Sequence, residues 1–560
     1  MVFPPKITER FLLICLLTSI VLLMGCRTVA ETVNRHLRLN IGSEPATLDP
    51  ALATDPESQQ VARMIFLSLV ETDPATGAPQ HGLSTGWAVS TDGLIWEFKL
   101  RPDAVWVRFN PIGERVEIKR NVNAQDIVYS VRRVFDPRVG SGFAMQIAPV
   151  LRGAQELRTA NPQKTTEADY QRLFAALGVQ AVDDTTVRFY LTSPAAYFPS
   201  IVSTWLVRTQ PRESVEAGGV VWTEPGTLWT NGPYMLTSWT HGREIVLKKN
   251  PNWYDAASVR IDEIRFTMIA DTATALDEYK KGNLDSLDPY GGLSTNDYDT
   301  LHEDPFLNKQ LHIIPTLCSH YYGFNTTKAP FNDPLVRKAF TAAIDRETLV
   351  SSVVKLGDVA RGFARAGVYA STDITDTAGI PFSVNRAREY LKEAGYDGRT
   401  KRLPVITLGV NTDETLQLIA ETVVQMWKSN LNVEVRVAAL DWKSYQQTLR
   451  EDPPQIFRLG YCGYFPDAAN FASVFQSKSP VNFTKWIGLP YDQTVDAAAR
   501  EIDVTKRRGL YRTAEKMLIE ENTVIAPLWW SSRATLTRPD IQRNYAITDG
   551  YERLETWGFQ

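Results

Sequence analysis

The order strand, helix, strand in the second half of the chain constrains the fold most. PVITLGV (404–410) and VEVRVAAL (433–440) are apolar, β-branched runs typical of buried strands, and the stretch between them, DETLQLIAETVVQMWKSN, has a helical pattern. A strand, a crossover helix and a second strand form the unit that produces parallel pairing. The sequence therefore predicts an α/β layer here, and its 560 residues exceed what one core holds, so we expect two large lobes.

Other stretches support a mixed α/β chain. Asp55 before Pro56, Asn123 before a helical run, and Asp271 and Asp441 are each placed to cap a helix. The predicted strands are RHLRLNIG (35–42), WEFKL, VWVRF, VRFYL (187–191), NGPYML, REIVLKKN, VRIDEIRFTMI, QIFRLGYCGY and, as a final buried strand, VIAPLWW.

The N-terminus has the pattern of a secretory signal. Lys6 and Arg10 precede an apolar run, 11–24, that is shorter than the roughly 20 residues of a membrane span. The run ends in LMGC, which resembles the bacterial lipobox, so we expect Cys26 to be lipidated and to tether the protein to a membrane. The alternative is an ordinary signal cleaved nearby, with Cys26 incidental.

The remaining cysteines are few. Cys15 lies in the signal, and Cys26 is the lipidation site, which leaves Cys318 and Cys462. In an exported protein two remaining cysteines are expected to pair, although two buried free thiols stay an alternative.

Motifs for catalysis are missing from the sequence. It contains no HExxH, GxSxG, Walker lysine loop or GxGxxG after a strand. His312 and His320 flank Cys318, but the spacing is loose for a zinc site, and no metal or cofactor is expected. The formal net charge is -4 and no basic stripe is present, so a nucleic-acid partner is not expected. An exported hydrolase with an unrecognised carboxylate pair remains the alternative of another class.

Aromatic residues gather where predicted strands end. Strand ends in open α/β sheets are where ligands bind, and rings there supply contact area. A single ring is more often core, but the segment YCGYF, 461–465, has glycine within it and Pro466 after it, and we interpret it as a ligand-contacting surface.

Several segments together resemble the solute-binding proteins of bacterial ABC importers, family 5, of the oligopeptide-binding type. The matching segments are SEPATLDPALATDPES, GLSTGWAVSTDGLIWEFKLRPDAVW, NAQDIVYS, TNGPYMLTSW, REIVLKKNPNWY, YYGFNTTKAPFNDPLVRKAF, AIDRETLV and AREYLKEAGY. The resemblance implies an α/β fold like that of type II periplasmic binding proteins: two lobes, two hinge strands and an extra subdomain. The expected division is signal peptide 1–25, tether 26–34, first lobe 35–71, its extra subdomain 72–228, first lobe 229–315, second lobe 316–527 and return to the first lobe 528–560.

The resemblance also implies site residues. Cys318 and Cys462 occupy the positions of a disulfide beside the strand that binds peptide main chain. Arg458 falls near the residues that meet the ligand's carboxylate end. The implied ligand-binding residues are Phe143, Asn231 and Gly232 on the first lobe and Tyr322, Trp442, Arg458, Tyr461, Cys462, Gly463, Tyr464, Phe465 and Asp467 on the second.

One position departs from the family pattern. Peptide binders carry an aspartate two residues after the strand cysteine to neutralise the peptide α-ammonium, and this chain has Tyr464 there. Asp467, which follows Pro466, could reach the peptide α-ammonium only in a register different from that of the family's aspartate. Either the amine is met differently or the ligand is not a free-amine peptide, which leaves oligosaccharides and other small solutes open.

The function implied is that of a receptor outside the cytoplasm. We expect a lipid-anchored monomer, in the periplasm or at the outer face of the cell membrane, that hands a peptide to an ABC permease and ATPase complex. It needs no catalysis of its own, because the ATPase supplies the energy. A receptor that signals without transport differs only in its partner.

Overall fold

The computed structural model describes residues 35–287, 293, 295–371, 379–396, 401–543, 545 and 551–560. The signal peptide, the tether and Cys26 therefore lie outside the described residues. Within the described ranges, no helix is both long and apolar enough to cross a bilayer.

Eleven strands of the described residues form one sheet that extends through both lobes. In spatial order they are Tyr234–Thr240, Glu244–Lys249, Glu263–Thr267, His36–Asn40, Ser286–Leu287, Ile525–Thr537, Leu311–Phe324, Ile456–Cys462, Ile406–Asn411 and Val435–Leu440, with Gly357–Val359 beside Ile525–Thr537. The first five belong to the first lobe and the last three to the second. The fold is thus two α/β lobes, as expected.

Two long antiparallel strands connect the lobes: the first crossing strand, Leu311–Phe324, and the second crossing strand, Ile525–Thr537. Their register shifts between Pro315 and Ser319. Proline has no amide N–H for the ladder, so the pairing is interrupted where the strands pass between the lobes. The predicted VIAPLWW strand lies inside the second crossing strand. The expectation that it is the last strand is wrong, since Ile541–Gln542 and Gly558–Phe559 follow it and pair with each other.

The strand, helix, strand prediction in the second lobe is confirmed. Ile406–Asn411 and Val435–Leu440 pair in parallel, joined by the helix Glu414–Leu431. Asp413 caps this helix by accepting from Leu416 N, and Asn432 ends it with a left-handed φ of 55°. One face of the helix is buried, which fixes it on the sheet.

The first lobe also contains small sheets and most of the short helices. Its further strands are Val70–Thr72, Pro79–His81, Ser84–Val89, Ile95–Leu100, Val105–Asn110, Arg115–Asn121, Val179–Asp183, Thr186–Tyr190 and Trp229–Thr230. Its helices are Pro56–Ile65, Ala124–Phe135, Ala144–Ile147, Ala154–Arg158, Glu167–Ala176, Phe198–Ile201, Arg212–Gly218, Thr272–Lys280 and Thr295–Glu303. One extended apolar core joins the small sheets to the strand His36–Asn40.

The second lobe has helices on both faces of its sheet. They are Pro334–Ala342, Arg346–Leu349, Val384–Glu393, Glu414–Leu431, Trp442–Glu451, Ala468–Ala472, Leu489–Arg500 and Val504–Lys516. Two separate cores follow, one containing Trp427 and the other Phe363.

Candidate ligand-binding cleft

Three strand ends and two helix starts meet at one edge of the second lobe. The strands Ile456–Cys462 and Val435–Leu440 both pair in parallel with Ile406–Asn411, so their carboxyl ends share this edge. The helices that begin there are capped by Asp413 and Asp441. Carboxyl ends of parallel strands are where α/β folds bind ligands.

This edge faces the first lobe. The ring centroid of Tyr464 lies 6.4 Å from that of Phe143, and the ring of Phe465 stacks on Tyr197 at 5.8 Å with 4° between the planes. Phe143 and Tyr197 belong to the first lobe, so the segment 461–465 lies between the two lobes. We call the space bordered by this segment and the first lobe the cleft.

The predicted aromatic side chains on this edge differ in exposure. Trp442 is 51% exposed and Tyr464 is 37% exposed. Tyr461 is partly buried, and its hydroxyl donates to Asn470 Oδ1 at 2.6 Å. Burial raises the pKa of Tyr464, and burial followed by the neighbouring Tyr464 raises that of Tyr461. Both phenols therefore stay neutral, and the wall offers rings and hydroxyls but no charge.

Arg458 is a buried cation on the same strand. Its side chain is 8% exposed, Nη2 donates to His320 Nδ1 at 2.6 Å, and Nη1 lies 3.4 Å from Asn411 Oδ1. No ion pair within 4.0 Å involves Arg458 among the described residues. Burial lowers its pKa, as expected for a guanidinium deprived of water. The charge of Asp413, which makes no ion pair with Arg458, offsets part of this lowering. A buried guanidinium with no ion pair is suited to bind an anion.

His320 and Asn411 are neighbours of Arg458 that sequence reasoning did not assign to the site. The His320 ring stacks on Trp529 at 4.2 Å, and Nε2 lies 2.7 Å from Ser531 Oγ. Burial, followed by the charge of Arg458, lowers the pKa of His320 to about 3. Side chains two residues apart on a strand lie on the same face, so His320 lies on the face of Cys318. This spacing could have indicated that His320 belongs to the site.

The loose zinc site considered from the sequence does not assemble. The His312 ring stacks on Tyr545 at 4.0 Å, whereas His320 contacts Arg458. Within the part of the chain that the structure describes, no group of three or more potential metal ligands occurs.

The cysteines Cys318 and Cys462 are directly opposite each other on the antiparallel strands, with sulfurs 2.04 Å apart and Cα atoms 4.0 Å apart. Next to them, Gly463 N donates to Leu317 O at 3.0 Å. This pair links the first crossing strand, beside its register shift, to the wall of the cleft.

Asn231 and Gly232 of the first lobe pack on the end of a helix. Asn231 is 2% exposed, and its Oδ1 accepts from Leu67 N at 2.9 Å. Gly232 N donates to Ile65 O at 3.0 Å, and a Cβ at Gly232 would lie 2.6 Å from the Ile65 carbonyl carbon. These contacts attach the first-lobe wall to the end of the helix, and Asn231 Nδ2 is buried without a hydrogen-bond partner among the described residues.

Tyr322 and Asp467 were expected at the ligand, and the structure places both inside the protein. Tyr322 is completely buried in the second-lobe core, with its ring 5.9 Å from Trp427. Asp467 is also completely buried; it caps the helix Ala468–Ala472 and lies 2.9 Å from Arg507 Nη2. Ser200 and Tyr197 of the first lobe interact with Asp467, so this buried carboxylate lies where the two lobes meet. Both Tyr322 and Asp467 are left out of the binding surface proposed below.

Comparisons with known proteins identify the family. The model for bacterial extracellular solute-binding proteins, family 5, matches residues 78–483. The chain is 31% identical over 549 residues to the periplasmic murein peptide-binding protein of Escherichia coli (strain K12), covering 95% of each chain. It is 30% identical to the oligopeptide-binding protein of Bacillus subtilis (strain 168), covering 88% of this chain and 87% of that one. This protein belongs to the family 5 extracellular solute-binding proteins, a class of binding proteins rather than enzymes.

Solved structures of relatives superpose on nearly the whole chain. The unliganded open form of a periplasmic murein tripeptide-binding protein matches with a TM-score of 0.82 at 29% identity, covering 94% of this chain and 98% of that one. A second structure, of the Escherichia coli murein tripeptide-binding protein, has the same identity and coverage but a TM-score of 0.64. At equal identity and coverage, this chain therefore superposes more closely on the unliganded open form.

Proposed function

We propose that this protein is the peptide receptor of an ABC importer, anchored outside the cytoplasm by a lipid on Cys26. It binds an oligopeptide in the cleft as a monomer and delivers it to the permease, without catalysis. The observation that carries the proposal is Arg458, a buried guanidinium with no carboxylate partner at the carboxyl end of parallel strands, in a family of solute-binding proteins. The names of the relatives, which bind murein peptides and oligopeptides, supply the ligand class.

The proposed binding surface combines side chains and main chain. Arg458 holds the ligand carboxylate, supported by His320 and Asn411, while main-chain groups of 461–463 pair with the peptide as an added strand. Trp442, Tyr464, Phe465 and Phe143 contact the ligand side chains. The Cys318–Cys462 pair, oxidised outside the cytoplasm, keeps the wall in place.

Native mass spectrometry of protein purified without denaturation tests this function. Peptides should co-purify with the protein and leave it on unfolding. Binding of an oligosaccharide with no peptide binding would contradict the proposal and favour the sugar alternative. Cleavage of peptides or glycans on long incubation would favour a hydrolase.

A further inference from the structure

Resting on the proposed peptide-receptor function, we propose that the preferred ligand is a peptide with a free carboxylate and an uncharged, acylated amino end. The inference comes from the charges around the segment 461–465: the strand that leads into it carries a cation, and the segment itself contains no acid.

The wall itself is neutral. The segment 461–465 contains two tyrosines, a cysteine, a glycine and a phenylalanine, and no acid. Phe143 faces Tyr464 from the first lobe, and the Tyr461 ring lies 6.2 Å from the Tyr464 ring. Burial is the single cause of the raised pKa of Tyr464, which agrees with the absence of a charged neighbour. An ammonium placed here would meet rings and hydroxyls.

The acid nearest in sequence is already engaged. Asp467 Oδ2 accepts from Arg507 Nη2 at 2.9 Å, and Oδ1 accepts from Ala469 N at 2.9 Å. Asp467 is 0% exposed and Arg507 is 3% exposed. Turning Asp467 toward a ligand would leave the Arg507 cation buried without compensation, which costs several kcal/mol in proteins.

The acids around the first-lobe strand end are engaged as well. Glu44 Oε1 accepts from Trp239 Nε1 at 2.9 Å and lies 2.8 Å from His241 Nδ1, and Asp49 pairs with Arg133 at 2.8 Å. Asp55 caps a helix through Ser58 N, and Glu57 accepts from Ser43 Oγ at 3.0 Å.

Two acids at the second-lobe edge are also engaged within the protein. Asp413 accepts from Leu416 N at 2.9 Å and Asp441 from Ser444 N at 3.1 Å, so both cap helices. Together with Asp467, these seven carboxylates, four of them helix caps, each have a structural partner, and the charge of Asp413 also acts on Arg458.

The charge balance then selects the ligand. A zwitterionic peptide with its carboxylate at Arg458 would bury an unmatched ammonium at the aromatic end, and an unpaired buried charge is strongly unfavourable. An acylated amino end is neutral, its amide can pair with main chain, and its alkyl group can pack on the rings of Phe143 and Tyr464.

A competition experiment tests the proposal. The mature full-length chain is mixed with equal amounts of a pooled tri- to pentapeptide library in free-amine form and in N-acetylated form, and bound species are counted by native mass spectrometry. We expect acetylated members to be bound at least tenfold more. Equal binding, or preference for free amines, overturns this inference while leaving the peptide-receptor function standing. Failure of both libraries to bind overturns the function, and the inference with it.

Two matched variants locate the amino end. Tyr464→Asp should shift the ratio of bound free-amine to bound acetylated peptides at least tenfold toward free amines. Tyr464→Asn introduces a side chain of the same size as aspartate but without its charge, and it should not produce this shift. An unchanged ratio in a folded Tyr464→Asp protein places the amino end elsewhere and overturns the proposal. Should Tyr464→Asp fail to fold by circular dichroism, Phe143→Asp on the facing lobe must give the same shift, and its absence is equally decisive.

Discussion

Arg458 Nη2 lies 2.6 Å from His320 Nδ1, so a buried guanidinium donates to a neutral imidazole. Arginine can only donate, and therefore Nδ1 is the acceptor and Nε2 carries the proton. That proton points to Ser531 Oγ at 2.7 Å. The contact orients Arg458 without neutralising it and leaves its charge for a ligand.

The first prediction concerns pH. The pKa of His320 is lowered to about 3, well below its unfolded value, so the folded protein keeps the ring neutral while the unfolded chain takes up a proton. Stability is therefore present above the unfolded pKa and is lost as the pH falls toward the folded pKa. From pH 6.5 to 4.5 this group should cost ~2.3 kcal/mol, because half of the unfolded rings already carry the proton at pH 6.5.

The prediction is checked by measuring the free energy of unfolding in denaturant at pH 6.5 and at pH 4.5, for the wild type and for His320→Gln. Between the two pH values, the unfolding free energy of His320→Gln should fall less than that of the wild type, and the difference should be about that amount. Parallel pH profiles for the two proteins would show that His320 is not buried in the neutral form.

Replacing Arg458 should separate binding from stability. Arg458→Met removes the charge-assisted hydrogen bonds to a ligand carboxylate, which contribute about 1.5–3 kcal/mol. Affinity for free-acid peptides in calorimetry should fall on the order of tenfold to a hundredfold. The folded protein loses a buried charge that has no ion pair, so the unfolding free energy should not decrease.

C-terminally amidated peptides provide the matched control, because they offer no carboxylate. Their affinity should be weak for the wild type and almost unchanged by Arg458→Met. An equal loss for acid and amide peptides would mean that position 458 does not meet the carboxylate.

The Asp467–Arg507 pair should be important for stability rather than for binding. Asp467→Asn leaves the Arg507 cation buried and should lower the unfolding free energy by about 3–5 kcal/mol. The double variant Asp467→Asn, Arg507→Met should recover much of this loss. Glu389→Gln, which breaks a pair 2.9 Å long at the surface, should cost less than ~1 kcal/mol. If Asp467→Asn and Glu389→Gln lowered the unfolding free energy by similar amounts, this result would contradict the burial of the Asp467–Arg507 pair.

The cysteine pair makes a prediction about both chemistry and stability. The purified exported protein should resist alkylation at Cys318 and Cys462 until it is reduced. The pair closes a loop with a sequence separation of 144 residues, so the double alanine variant should lose about 2–4 kcal/mol of unfolding free energy. Two freely alkylated thiols in the native protein would restore the alternative of unpaired cysteines.

Local signals in the sequence predict much of the fold. Asp55, Asn123, Asp271 and Asp441 each cap the helix that their position indicated, because a cap depends on neighbours within three residues. The parallel strand pair of the second lobe follows from hydrophobic patterning in the same local way.

The site depends on contacts that no local pattern contains. Arg458, His320 and Asn411 come from three strands far apart in the chain. Asp467 is paired with Arg507, forty residues later, so its position after Pro466 could not indicate that its carboxylate is already engaged. The expected division of the chain into lobes and subdomain, and the assignment of each residue to the ligand, stay predictions.

Small-angle X-ray scattering tests the central claim, that the two lobes close on a peptide held at Arg458. The structure superposes on an unliganded open form of a relative with a TM-score of 0.82. Adding saturating N-acetylated peptide with a free carboxylate should reduce the radius of gyration of the wild type and leave that of Arg458→Met unchanged. An unchanged radius in a wild-type protein shown by calorimetry to have bound the peptide would contradict the account.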